Sequence, residues 1–145
     1  MSKSNEIRQR IKAAGARFHS NDNISDFMQP GDVDALLDEL TGKFQGVLDT
    51  LVIDTENDHN TQDTARRVAK MFICETFSGR YKPRPKITSF PNMGYKSLYT
   101  TGPISVRSTC AHHFQNIVGK CWVGVVPQDK VIGLSKFNRL VHHIC

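Results

Sequence analysis

Ile104-Ser105-Val106-Arg107-Ser108-Thr109-Cys110-Ala111-His112-His113-Phe114-Gln115-Asn116-Ile117-Val118-Gly119-Lys120-Cys121-Trp122-Val123-Gly124-Val125-Val126 is the stretch whose reading decides the fold. Its flanks, Ile104 to Thr109 and Ile117 to Val126, are rich in β-branched residues, which suit extended backbone. In the second flank Lys120, Trp122 and Gly124 alternate with Cys121, Val123 and Val125, the two-residue period of a strand. The pattern predicts an antiparallel pair joined through a bend at Cys110 to Gln115. A thiol and two imidazoles then stand at the mouth of a hairpin.

Thiolate and neutral imidazole are the commonest zinc ligands, and Cys110 and His113 stand at a C-x-x-H spacing that lets both close on one ion. Residues three apart on a regular strand face opposite ways, so sharing an ion requires a turn or bulge between them. A second imidazole, His112, lies between the two. The motif alone is weak: a buried thiol near a surface imidazole gives the same spacing. A zinc site also needs at least three protein ligands, and this one supplies two.

Downstream, the turn Pro127-Gln128-Asp129-Lys130 and the segment Val131-Ile132-Gly133 lead into a helix expected to be capped by Ser135. Phe137, Leu140, Val141 and Ile144 recur at i, i+3, i+4, i+7 and predict its buried stripe, while Lys136, Arg139 and His143 share another side. A helix N-terminus offers unpaired N–H groups and a positive dipole end, so with two cations beside it this is a sound seat for phosphates. Ser-Lys at a helix start is also ordinary capping.

Upstream, Pro83, Pro85 and Pro91 restrict any strand between Tyr81 and Pro91, such as Lys86 to Phe90, to a short or edge position. Before them a helix is expected from Thr61 to Gly79, with Ala65, Val68, Met71 and Phe72 on its apolar side. Arg67 and Lys70 project from one face of it, which by spacing alone reads as a solvated basic face. A further amphipathic helix begins at Val33 after an Asp32 N-cap and runs through Leu36, Leu37, Leu40, Phe44, Val47, Leu48 and Leu51. Gly42 and Gly46 inside it hint at close packing.

Lys3, Arg8, Arg10, Lys12 and Arg17 surround only two apolar positions, Ile7 and Ile11, a pattern for a short, weak helix. Phe18 to Gly31 is polar and ends in Pro30-Gly31, a loop signature. Residues 1–31 therefore read as an arm and linker and residues 32–145 as the domain proper. The charge cluster is too small to point to nucleic acid.

The 145 residues allow one domain of ordinary globular composition, 39% hydrophobic and 23% charged. A formal charge of +5 suits an anionic ligand. Cys74, Cys110, Cys121 and Cys145 show no secreted-scaffold spacing and no apolar leader run follows Met1, so a reduced, cytoplasmic protein is expected. No stretch reaches the length of a membrane span. The fold class expected is α+β: N-terminal helices, an antiparallel sheet and a helix packed on it.

Taken together, Ser108 to Phe114, Gly119-Lys120, Val126-Pro127 and Val131 to Arg139 resemble the GTP cyclohydrolase I family, whose core reads S-T-C-E-H-H-F, G-K, I-P and V-I-G-L-S-K-x-x-R. Asp63 to Met71 and Phe77-Ser78-Gly79 look like that family's D-T-P-x-R-V-A-K-M and F-S-G. The resemblance covers Val33 to Cys145 and is dense from Asp63 onward.

The resemblance implies a tunnelling-fold subunit that assembles into stacked rings. The activity it implies is hydrolysis of GTP to formate and 7,8-dihydroneopterin triphosphate, the first step of a tetrahydrofolate, pterin or deazaguanine pathway. It further implies zinc held by Cys110 and His113, with His112 and Ser135 in catalytic roles. The triphosphate would be held by Arg67, Lys70, Ser135, Lys136 and Arg139. GTP and further copies of the chain are the partners expected, with neither nucleic acid nor membrane.

Two residues depart from the family pattern: Ala111 stands for a glutamate beside the ligands, and Ala65 for a proline at a helix start. The family's later H-x-C motif, which brings a third zinc ligand and a second catalytic histidine, has no counterpart here. The glutamine-glutamate pair that reads guanine is absent too, so a domain lacking its C-terminal part is expected. Cys121 and Cys145 are the remaining sulfurs, the first expected within the sheet and the second next to the apolar stripe.

Other readings are a non-enzymatic nucleotide-binding or oligomerising module and a related tunnelling-fold enzyme such as the nitrile reductase of queuosine synthesis. The paired His112-His113 counts against the latter, which uses a cysteine nucleophile and NADPH. A zinc-dependent nucleic-acid binder lacks a second C-x-x-C or H-x-x-x-H pair.

Overall fold

The computed structural model describes residues 1–145 as two compact units, Met1–Pro83 and Arg84–Cys145. The class is α+β, as the sequence predicts. No helix is long and apolar enough to cross a membrane.

The first unit contains α1 (Lys3–Ala13), a short 3-10 turn at Ser25–Phe27, α2 (Asp32–Thr50), α3 (Thr64–Met71) and α4 (Ser78–Tyr81). Ile7 and Ile11, one turn apart on α1, are 3% and 1% exposed and form a buried cluster with Ile24. Phe18, Phe27, Met28, Leu36 and Tyr81 pack around it. The polar loop between α1 and α2 folds back over α1, with Phe18, Phe27 and Met28 against its isoleucines.

Arg80 holds that loop. Its guanidinium donates to the carbonyls of Phe18 (3.1 Å), His19 (2.6 Å), Ser20 (3.2 Å) and Asp22 (2.9 Å). Asn23 Nδ2 donates in turn to the carbonyls of Gly79 and Lys82. Tertiary docking thus makes a helix of a segment whose own pattern is weak.

Polar groups fasten α1 to α2. The Ser4 amide and hydroxyl donate to Glu39 at 2.9 and 2.6 Å, and Arg10 and Lys3 both reach Asp32. Asp32 is the first residue of α2 and not its cap; Gly31 takes the cap position at φ 85°. The Asp32 carboxylate, 2% exposed, accepts the Gln29 amide at 2.9 Å as well as Arg10. Burial alone would raise its pKa, but the Gln29 and Arg10 hydrogen bonds and the Arg10 and Lys3 charges hold it below the usual carboxylate range.

The expected helix from Thr61 to Gly79 is instead α3, a π turn at Phe72–Thr76, and α4. Its buried residues are Ala65, Ala69 and Ile73, spaced four apart, while Met71 is 42% exposed. Alanines at the contact let α2 and α3 approach closely, and the Asp38–Arg66 pair at 3.1 Å joins them. Phe44, Phe72 and Phe77 pack in series, the first pair tilted at 5.3 Å and the second stacked at 5.8 Å between centroids. Gly42 and Gly46 do not mark close packing: a Cβ built at either meets nothing within 4 Å.

In the second unit β2 (Tyr99–Thr109) pairs antiparallel with β3 (Asn116–Val125), in a register that sets Thr109 against Asn116, Ile104 against Cys121 and Tyr99 against Val125. A separate short pair joins β1 (Ser89–Pro91) to β4 (Lys130–Ile132). The strand β2 begins five residues before its predicted start, Ile104, because an irregularity between Thr101 and Ile104 lets the ladder resume across Gly102-Pro103. Gly102 has φ 151°, and a Cβ there would lie 2.6 Å from Trp122 Cδ1 and 2.9 Å from the Cys121 carbonyl, so the position requires glycine.

The helix α5 (Leu134–Ile144) lies against β2, with Phe137 6% exposed and the Tyr99 ring edge-on to it at 6.3 Å. It starts at Leu134 with Gly133 as its cap residue, so Ser135 falls inside the first turn. Ile144, expected in the buried stripe, is 78% exposed.

Candidate functional site

The bend predicted between the two long strands is a tight turn closed by its own backbone. The Phe114 amide donates to the Cys110 carbonyl and the Cys110 amide to the Gln115 carbonyl, both at 2.9 Å. Phe114 takes the left-handed region, φ 54°, to reverse the chain into β3. The turn keeps Cys110 half-buried at the end of β2 and leaves Ala111, His112 and His113 exposed.

Cys110 Sγ lies 3.6 Å from His112 Nδ1, and the His112 and His113 rings stand 6.4 Å apart at 32°. The sequence pairs the thiol with His113; the contact formed here is with His112. A thiol–imidazole hydrogen bond accounts for that spacing. So does a shared tetrahedral zinc, because Zn–S of about 2.3 Å and Zn–N of about 2.0 Å set sulfur and nitrogen roughly 3.5 Å apart. The donors are of the right chemistry for zinc, yet no group of three His, Cys, Asp or Glu side chains converges on one point. Cys121 sits half-buried within β3 opposite Ile104, and Cys145 is exposed.

On α5, Ser135 and Arg139 are one turn apart and Lys136 and Arg139 three residues apart, so the three share a side near the helix N-terminus. Neither Lys136 nor Arg139 is ion-paired to a carboxylate. In the first unit Arg67 and Lys70 are exposed on α3, and Arg67 meets Asp63 at 3.5 Å. The candidate residues therefore divide between the two units.

Asp63, quoted from the sequence only as the first residue of a motif, stands four residues before Arg67, so the ion pair is readable by helical spacing. The Cys110–His112 contact is not readable that way, because it depends on the turn's dihedral angles.

The family model described as GTP cyclohydrolase I matches residues 40–145. Similar curated proteins include the GTP cyclohydrolase 1 of Yersinia enterocolitica, 46% identical over 97 residues, 66% of this chain and 44% of that protein. That of Erwinia tasmaniensis is 42% identical over 112 residues, 76% and 50% of the two chains. That of Yersinia pseudotuberculosis is 49% identical over 86 residues, 58% and 39%. The chain spans about half the length of the curated relatives it matches.

Proposed function

Because the chain belongs to the GTP cyclohydrolase I family, we propose that it serves a zinc-dependent hydrolase converting GTP and water to formate and 7,8-dihydroneopterin triphosphate. The observation that carries the proposal is the closed turn that gathers Cys110, His112 and His113 at the end of β2.

In this reading Cys110 and His113 hold zinc, with His112 next to them. Bound there, zinc supplies Lewis acidity that activates water at neutral pH. His112 moves the proton to the imidazole ring of guanine as that ring opens, imidazole being the usual side chain for proton transfer near pH 7. With Nδ1 turned to Cys110, its Nε2 remains for the substrate.

Ser135 donates a hydroxyl near the ribose and phosphates. On the second unit Lys136 and Arg139, free of carboxylate partners, take up triphosphate charge; on the first unit Arg67 and Lys70 have the same role, and phosphate displaces Asp63 from Arg67. Residues 32–145 form the family-type domain. Copies of the chain assemble into rings in the cytoplasm, and the product enters folate, pterin or deazaguanine synthesis.

Zinc content and formate release from GTP test the proposal together. Cys110→Ala is expected to lose zinc and His112→Ala to keep it, while each lowers formate release by about 10² or more. Formate release that survives Cys110→Ala would sink the zinc reading. GTP binding by zinc-loaded protein without any formate would favour a nucleotide-binding module instead.

A further inference from the structure

The register of β2 against β3 changes once. Thr101 stands opposite Val123 and Ile104 opposite Cys121, so Gly102 and Pro103 together face the single residue Trp122. Every later pair, down to Thr109 with Asn116, keeps the shifted register, and the Cys110 amide donating to the Gln115 carbonyl carries it one step further into the turn. The strand β2 thus holds one residue more than its partner.

That residue decides a question of side. Side chains alternate along a strand, and an odd number of positions separates Tyr99 from Cys110, so a regular strand would put them on opposite faces. With the extra residue they share one. Burial follows the shared face: Tyr99, Thr101, Val106, Ser108 and Cys110 are half-buried and Ile104 is buried, whereas Thr100, Ser105 and Arg107 are exposed. The helix α5 packs on that face, since the Tyr99 ring meets the buried Phe137 edge-on. Ser135-Lys136 and Arg139 flank Phe137 on the helix. Gly102 makes the arrangement possible, because Trp122 and the Cys121 carbonyl leave no room for a Cβ there.

We infer that the extra residue at Gly102-Pro103 is a positioning device: it brings the helix that carries Ser135, Lys136 and Arg139 onto the face of the ribbon where Cys110 stands. Gly102 and Tyr99 are its positioning residues, and they act on the site through α5. The inference rests on the proposed function, which gives triphosphate to those α5 side chains and zinc to Cys110. A strand without the extra residue would turn Tyr99 away from Phe137, and α5 and the thiol turn would lose their common face.

The test compares three variants of the whole chain. Deletion of Pro103 leaves Gly102 alone opposite Trp122; the exchange Tyr99→Thr with Thr100→Tyr moves the ring to the other face of an otherwise unaltered strand; the third variant combines the two, so that the changes of face cancel. The readouts are the nuclear Overhauser contact between the tyrosine ring and Phe137, bound zinc, and the Kd of the zinc-loaded chain for GTP. Deletion and exchange should each lose the ring contact, keep zinc because the Cys110 turn is closed by its own backbone, and weaken GTP about tenfold or more. The combined variant should regain the ring contact and the GTP affinity, whereas a merely structural role predicts that it is worse than either alone. GTP affinity unmoved by the exchange, zinc lost together with the ring contact, a combined variant that stays weak, or an unaltered chain that binds no GTP would each overturn the inference. Formate release absent while GTP affinity follows the ring would instead sink the hydrolase reading and leave this inference standing.

Discussion

In the unit Met1–Pro83 the side chains of Ile7, Ile11, Ile24, Ala65, Ala69 and Ile73 are each 5% exposed or less; in Arg84–Cys145 only Ile104 and Phe137 among the hydrophobics are comparably hidden. The strand β3 leaves Val118 78% and Trp122 63% exposed, and β2 and β3 pair with each other alone. A two-stranded ribbon by itself is marginal in water. The helical unit closes upon itself through apolar packing and polar fastenings, whereas the hairpin unit holds its chemistry by local turn geometry. The proposed ring assembly would give those free edges and that apolar face something to meet.

The largest expected effect tests this contrast directly. Ile11→Ala removes most of a side chain 1% exposed at the centre of the α1 cluster and should cost about 3 kcal/mol in denaturant unfolding followed by far-UV dichroism. Val118→Ala, on the open hairpin, should cost under about 0.5 kcal/mol. Equal costs would break the comparison.

The polar fastenings give a second, pH-dependent test. Burial would raise the pKa values of Asp32 and Glu39, yet the Gln29 amide with Arg10 lowers the first, and the Ser4 hydroxyl and amide lower the second. Both folded values therefore lie below the unfolded ones. Their contribution is complete above the unfolded pKa values near about 4 and is lost as pH falls through the folded values. The α1–α2 contact should weaken on acidification below about pH 4. Asp32→Asn should cost roughly 2 kcal/mol at neutral pH and flatten that acid slope. An unchanged slope would mean that the carboxylate does not fasten α1.

Legibility followed the same division. The hairpin, its bend and α5 were readable because β-branched alternation and helical periodicity survive even where burial is shallow, as at Cys121 and Leu140. The role of residues 1–31 was not, because Arg80 and Asn23 act across more than fifty positions and leave no local period. The face of α3 was misread for a related reason. Ala69 is small enough to look neutral in sequence, yet it is fully buried because α2 lies against it. At the candidate site the residue types were legible, whereas the Cys110–His112 contact was not, since it depends on the conformation of the turn and not on spacing.

The smallest expected effect concerns α2, the element whose glycines promised close packing. Neither Gly42 nor Gly46 has a positive φ, both are exposed, and a Cβ at either meets nothing within 4 Å. Glycine inside a helix costs about 0.5–1 kcal/mol relative to alanine through the backbone entropy it loses on folding. Gly42→Ala and Gly46→Ala should therefore each stabilise the helical unit by up to about 1 kcal/mol, and because they stand one turn apart on the same face of α2 the double variant is measured as well as the singles. A gain in thermal midpoint at unchanged particle size would confirm that the first unit is complete on this face. A gain accompanied by loss of a larger assembly would show that the glycines admit a second copy of the chain, and the contrast between a closed unit and an open one would have to be redrawn.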